Sequence, residues 1–307
     1  PFGGSHALLG GVTAAVRQIL DLDFSHPDFA TAMLDLDYDP GFIAYLAEGK
    51  RLRIKLYTAP EGTAFFPNEP IIIMSGPLAH VRLVEGIITR EVNFPSLSLT
   101  KWHRLVRVVR PGSVLDFSRR RAQDSTKSSL YAMLAGCALT SNSAIRSYFD
   151  VRVGGTMGHE YVQSHGSVPE AFDAWLTHQP RRPIGLVDTK NCMKHDFPAW
   201  LEMCYKHREK IKQADPQFWG WRDDSLDLAY LALEQFRQFR LHDLSRDPWF
   251  YDRFRITLTN ELDEHSASSI IGQIRVQGGE AGLDVNQLLS CITWGAGTLP
   301  GTCDGSP

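Results

Sequence analysis

From Val114 onward, short apolar runs alternate with longer stretches of helical spacing. The runs are SVLDF, VRVGGT, PIGLVDT, FWGWRDDS, FRITLTN and CITWGAGT. Between them lie AFDAWLTHQ, AWLEMCYKHREKIKQ, LDLAYLALEQFRQF and SASSIIGQIRV, each with an amphipathic helical pattern. Such alternation predicts parallel strands joined by crossover helices, either closed as a barrel or open as a doubly wound sheet. Residues 1–110 have a different rhythm, a mixture of helix and strand. ALLGGVTAAVRQIL and PLAHVRLVEGIITREVN predict helices, and EPIIIMSG predicts a buried strand. RLRIKLYTA alternates Arg51, Arg53 and Lys55 with Leu52, Ile54 and Leu56, the pattern of a half-buried strand. The change of rhythm predicts two domains, 1–110 and 111–307.

The strand-like runs turn polar at their C-terminal ends. These ends carry Asp116 with Arg119, Arg120 and Arg121; Thr156 with His159; Asp188 with Thr189; Arg222, Asp224 and Ser225; Thr259 with Asn260; and Thr298. In a parallel α/β barrel all of them share one face, where catalytic groups gather.

Composition narrows the classes. The chain has 307 residues, 43% hydrophobic and 22% charged, in the range of a folded globular protein. A formal charge of -3 argues against non-specific nucleic-acid binding. No apolar run is long enough to span a bilayer, and no signal peptide opens the chain, so a cytoplasmic location is expected. Cys137, Cys192, Cys204, Cys291 and Cys303 form no CxxC pair, which fits scattered thiols in a reducing compartment. The chain starts at Pro1 without Met and closes on GTCDGSP, so a fragment of a longer protein is expected.

His159, Glu160 and His165 superficially resemble a zinc protease motif, but that motif needs histidines four apart. Six apart, they stand about 240° around a helix, and the zinc reading fails. Arg119, Arg120 and Arg121 are either a solvated charge run or a bidentate phosphate clamp. GGT at 154–156 and GAGT at 295–298 let backbone N–H groups approach an anion, with a hydroxyl alongside. Asp188, Asp224 and Asp227 can hold Mg²⁺ or orient a ribose; equally, Asp224 and Asp227 can cap the helix that follows them. These residues together indicate a phosphate-handling α/β enzyme with a histidine in its site. They do not name the substrate.

Several stretches, in order along nearly the whole chain, resemble the nicotinate phosphoribosyltransferase family. PFGGSHALLGG resembles its FGG segment, and PEGTAFFPNEPIIIMSGPL resembles EGT-x-x-FP-x-EP-x-x-x-x-GP. LVEGIITREVNFPSLSLTKWHRL is similar to its E…N-F-x-S…T-K-x-x-R helix, DFSRRRAQ to EFG-x-RRAQ, and TSNSAI to its TSN segment. GGTMGHEYVQSH resembles GTMAH or GTQAHEWFQAH, WRDDSLD resembles R-x-DSGD, LTNELDE resembles SD-x-LD, and WGAGTL resembles FG-x-GT.

The resemblance implies a type II phosphoribosyltransferase fold: an irregular, incomplete, TIM-like α/β barrel beside a smaller N-terminal α/β domain. It implies a homodimer with shared sites. It implies that nicotinate and 5-phosphoribosyl 1-pyrophosphate give nicotinate mononucleotide and pyrophosphate, a step of NAD salvage. ATP is then a co-substrate, hydrolysed through a phosphohistidine, and Mg²⁺ accompanies the phosphates, with unknown protein ligands. His159 stands at the phosphorylated histidine, with Arg222 and Asp224 as its catalytic companions. Thr156 stands at a nicotinate contact, Arg120 and Arg121 at the paired arginines, and Thr298 at a phosphate-contacting threonine. Asp188, Ser225 and Asp227 complete the expected substrate-binding set.

The chain departs from the pattern in places. Leu226 replaces the glycine of R-x-DSGD, Pro300 and Gly301 extend the GAGT loop, and Gly158 stands where alanine is usual. Relatives also carry a segment, expected before Pro1, whose tyrosine stacks on nicotinate, and a region expected after the last strand. A nicotinamide-specific enzyme and a catalytically dead homologue acting as a partner subunit are the alternatives.

Overall fold

The computed structural model describes residues 6–49 and 51–302. Phe2–Gly4 of the FGG segment and Cys303 lie outside the described residues. Two compact units emerge, dividing between Thr100 and Lys101.

The first unit holds β1 (Ala7–Leu8), α1 (Val12–Asp21), α2 (Pro27–Asp35), α3 (Pro40–Gly49), β2 (Lys55–Thr58), β3 (Ala64–Phe65), β4 (Ile72–Ser75) and the start of α4 (Leu78–Val109). Its strands form two antiparallel pairs, β1 with β3 and β2 with β4. EPIIIMSG therefore forms a half-exposed strand rather than a buried one, because a two-stranded ribbon has a solvent face. Leu9, Val12, Ala15, Val84, Ile88 and Val92 form its core. Gly11 is obligatory here: its φ is +87°, and an added Cβ would lie 1.8 Å from the Glu91 carbonyl oxygen.

The second unit contains β5 (Val114–Asp116), α5 (Ser125–Leu134), β6 (Leu139–Thr140), α6 (His159–Gln163), α7 (Val168–His178), β7 (Ile184–Leu186), α8 (Phe197–Lys206), α9 (Arg208–Ala214), β8 (Trp219–Asp223), α10 (Leu228–Leu241), α11 (Pro248–Arg253), β9 (Phe254–Thr259), α12 (Glu264–Glu280), α13 (Val285–Cys291), β10 (Ile292–Ala296) and α14 (Thr298–Thr302). Its six strands form one sheet in the order β6-β5-β10-β9-β8-β7, every pair parallel. Pairing of the last strand with the first curls the sheet, and it stays open between β6 and β7: a half-barrel. Two local readings change. VRVGGT contributes only an isolated bridge between Val153 and Thr140, because its glycines give it no side chains to pack. The strand beside it is Leu139–Thr140, too short to show a period in sequence.

The two faces of this sheet differ in chemistry. Trp219, Trp221, Ile256, Leu258, Ile292 and Trp294 are buried. Alternating with them, and in register across the strands, stand Gly220, Arg222, Arg255, Thr257, Thr259, Thr293 and Gly295, and all of these but Gly220 line the hollow side. Trp221 meets Phe197, Phe239 and Trp219 edge-on and stacks on Phe254. Its indole N–H donates to Gln235 Oε1 at 2.7 Å, so this buried donor is satisfied.

Two backbone positions test the fold directly. At Gly220 an added Cβ would lie 1.8 Å from the Arg255 carbonyl oxygen. Gly220→Ala is expected to cost more than about 3 kcal/mol in urea unfolding, or to leave no soluble protein. Leu226 adopts φ +65° while 69% exposed, so its side chain returns little for the strain. Leu226→Gly is expected to stabilise the chain by about 1 kcal/mol, seen as a melting temperature raised by a few degrees. An unchanged or lower value would show that Leu226 packs against something that offsets its conformation.

Candidate active site

At the C-terminal end of β8, Arg222 reaches across the hollow side. Its Nε donates to Thr259 Oγ1 and its Nη1 to Thr156 Oγ1, both at 3.0 Å. Nη2 pairs with Asp224 Oδ2 at 2.9 Å, and the guanidinium lies over the Phe117 ring. Residues from three strand ends and from the segment after the Val153 bridge are thus gathered on one planar cation. Thr259 Oγ1 also lies within hydrogen-bonding distance of the Asp223 carbonyl and of Asp224 Oδ1, which fixes the loop after β8.

His159 opens α6, with Gly158 as the residue before its first turn. Its Nε2 lies 3.2 Å from Asp188 Oδ1, at the end of β7. The Asp188 side chain is 0% exposed and the imidazole 38%. Asp188 Oδ2 accepts from the Asp224 backbone N–H at 2.8 Å and from Ser225 Oγ at 2.6 Å. One buried carboxylate therefore orients the imidazole and holds the loop that carries Asp224. With Nε2–H facing the carboxylate, Nδ1 is left with its lone pair.

The arginine run follows β5. Asp116, fully buried, accepts from Ser118 N at 2.7 Å and from Thr140 Oγ1 at 2.6 Å. These bonds anchor the Ser118–Arg120 turn, from which Arg119, Arg120 and Arg121 project. Opposite it, Gly295 and Gly297 pack directly on Phe117: a Cβ at 297 would lie 2.6 Å from the Phe117 carbonyl oxygen. The GAGT glycines therefore serve close packing of two loops. Gly301 continues the same contact, since its Cβ would come within 2.7 Å of Ser118 Cβ. The Pro300–Gly301 extension thus lies against the arginine turn.

These elements enclose a cavity of about 500 Å³. Arg120, Arg121, Thr156, Arg222, Asp224 and Thr298 of the expected set line it, together with Arg119. Four others stand off the wall. His159 and Ser225 connect to it through Asp188 and Asp224, and Asp188 is the buried link. Asp227 caps α10, accepting from Ala229 N and Tyr230 N, so its carboxylate is engaged by the helix. Phe117, Ser141 and Glu261 also line the cavity and were not expected there, whereas Asn260 and Thr259 arrive as polar strand ends. Asn260 and Glu261 have φ of +112° and +47°, a strained turn that only coordinates reveal. Among the described residues no three His, Cys, Asp or Glu side chains converge to hold a metal. Asp188, Asp224 and Asp227 are all engaged within the protein, a donor set that does not fit a resident Mg²⁺.

Behind Arg222, on the opposite face of β8, Asp223 is wholly buried. Burial pushes its pKa up to about 7; the Gln235 hydrogen bond works against this and the Asp188 charge with it. Its Oδ1 accepts from Gln235 Nε2 at 2.8 Å and from the Cys192 thiol, while Oδ2 has no partner. An unfolded aspartate ionises near 3.8, so between there and about 7 the folded chain binds the extra proton. Stability is highest below the lower value, falls as pH rises through this window, and levels off above it. Asp223→Asn is expected to flatten that slope in urea unfolding measured from pH 4 to pH 8. A slope that survives the substitution would mean that Asp223 is ionised throughout.

Comparison with known proteins places this geometry. No family model matches the chain. Nicotinate phosphoribosyltransferase of Bacillus subtilis is 28% identical, over 97% of this chain and 56% of its own length. The enzyme of that name from Rattus norvegicus is 32% identical, over 100% of this chain and 63% of its own. The chain spans about half the length of the curated relatives it matches. Among solved structures, human nicotinic acid phosphoribosyltransferase superposes with a TM-score of 0.73 at 24% identity, covering 97% of this chain and 66% of that one. Nicotinate-nucleotide pyrophosphorylase from Pyrococcus furiosus gives 0.62 at 16%, covering 98% and 63%. The half-barrel, the ordered motifs and these relatives agree: the chain belongs to the nicotinate phosphoribosyltransferase family.

Proposed function

We propose that the protein to which this chain belongs joins nicotinate to 5-phosphoribosyl 1-pyrophosphate, releasing pyrophosphate and nicotinate mononucleotide for NAD synthesis. The observation that carries this reading is the convergence of Arg222, Thr156 and the Arg119–Arg121 turn on one cavity. The pyridine nitrogen attacks ribose C1 as pyrophosphate leaves, so positive charge develops at C1 and negative charge on the leaving group. Preorganised guanidiniums beside the leaving oxygens stabilise that separation without reorganising at the moment of reaction. Arg222, with Thr156 at its side, suits a pyridine carboxylate: two N–H groups meet two oxygens. Its pairing with Asp224 lets that carboxylate shift as the substrate enters.

ATP hydrolysis is coupled through His159 in the same reading. The Asp188 contact supports it, because a carboxylate on Nε2 leaves Nδ1 to attack the γ-phosphate and stabilises the cation that forms. Mg²⁺ enters with the substrate phosphates, since the carboxylates of the site are engaged elsewhere. A homodimer with shared sites, working in the cytoplasm, belongs to the same proposal; no described helix is long and apolar enough to cross a membrane.

The test uses the full-length protein and γ-labelled ATP. Acid-labile label is expected on the wild-type chain and absent from His159→Ala, with Asp188→Asn labelled at least tenfold more slowly. Arg222→Ala is expected to lower kcat/KM for nicotinate by at least 100-fold with the fold intact. Faster turnover of nicotinamide than of nicotinate would move the assignment to the amide. A folded protein that neither labels nor turns over either pyridine would be a non-catalytic relative.

A further inference from the structure

At the N-terminal ends of the half-barrel strands, the end opposite the candidate active site, a second hollow opens, about 760 Å³ in volume. Four arginines face it: Arg110 ahead of β5, Arg146 and Arg152 in the segment after β6, and Arg255 in β9. Asp150 is the one carboxylate among the lining residues. Among the described residues, no ion pair joins any of these four guanidiniums to a carboxylate, Asp150 included. In the other mouth, Arg222 is paired. Four like charges around one concavity repel one another and remain there at a cost, which a bound polyanion would relieve.

Two of the four are also held in place. Arg110 Nη2 donates to the Ser290 carbonyl at 2.6 Å, and Arg255 Nη1 to the Phe254 carbonyl at 2.7 Å. Each tether uses one N–H and leaves the rest of the fork free, so less freedom is lost when an anion binds. Arg255 lies in register with Gly220, and the Arg255 backbone packs directly against that glycine, which fixes where the guanidinium starts. The wall of the hollow is apolar at Leu139 and Phe218.

We propose that this hollow binds a nucleotide, its polyphosphate on the four arginines and its base on the Leu139–Phe218 wall, independently of the site that faces the other way. The volume lies within the usual range of small-molecule pockets, roughly 300–1,000 Å³. Paired guanidiniums bind phosphate oxygens bidentately, and an apolar wall beside them suits a flat ring system.

The test is equilibrium titration of the full-length protein with ATP and, separately, with inorganic tripolyphosphate, at low and at 300 mM salt. Arg222→Ala serves as background to weaken the other mouth, and substitutions confined to this hollow separate the two. Binding of both probes is expected, ATP the tighter, and both weakened by salt. Arg146→Gln with Arg152→Gln is expected to weaken ATP at least tenfold, and in the otherwise wild-type protein the same pair is expected to leave turnover at saturating substrate and melting temperature unchanged. The matched lysine pair is expected to retain most of the binding. Equal affinity in the glutamine pair and the parent, or no polyphosphate binding on the Arg222→Ala background, would overturn the proposal. Tripolyphosphate binding as tightly as ATP would overturn the base-binding half of it. The readout needs no catalysis, so it stands or falls apart from the proposed reaction.

Discussion

One guanidinium organises this molecule's functional end. Arg222 ties Thr156, Thr259 and Asp224 together, although Thr156 is 66 residues away and Thr259 is 37. A partly buried cation held by a carboxylate and two hydroxyls is tolerable; with its charged partner removed it is not, at a cost of about 3–5 kcal/mol. The strand ends are therefore held in mutual register by a charge that each of them helps to satisfy. That rigidity is what the proposed reaction would need, since it would meet developing charge with fixed dipoles.

The supporting structure is built on the alternation of strand side chains. The buried positions of β8, β9 and β10 carry Trp219, Trp221, Phe254, Ile256 and Trp294, packed like a core. The positions between them carry arginine, threonine and glycine. Barrels usually fill their interior with layers of branched apolar residues. This half-barrel instead keeps a polar, partly open hollow, closed at neither end. Thr257 and Thr293, side by side on β9 and β10, hydrogen-bond to each other on its wall, so both hydroxyls are satisfied. Asp223 is the exception on the apolar side: a carboxyl among aromatics that keeps its proton near neutral pH because burial disfavours the ion.

Asp188 joins the two halves of the candidate chemistry. It touches His159 with one oxygen and the Asp224–Ser225 loop with the other. Any change in the imidazole's charge is felt by the loop that pairs with Arg222. The link is short, runs through a wholly buried carboxylate and is made of hydrogen bonds at ordinary distances, so it offers a direct physical route between the imidazole and the Arg222 end of the cavity.

The sequence by itself determined the parallel α/β class, the positions of β5 and β7–β10, and the fact that polar groups gather at strand ends. Period and composition are local properties, written in adjacent residues. Arg120, Arg121, Thr156, Arg222, Asp224 and Thr298 were legible for the same reason: each closes or follows an apolar run, and parallel strands put such ends together. Tertiary structure decided the rest. Asp227 turned out to be a helix cap, Asp188 a buried hub, and the GAGT glycines a packing surface for Phe117. Leu139–Thr140 became a strand although too short to show a period, and Asn260 and Glu261 entered the cavity through a strained turn. Which of several carboxylates orients an imidazole, and which arginines stay unpaired, depends on distances between residues far apart in the chain. No local pattern encodes those distances; the closing of the sheet sets them.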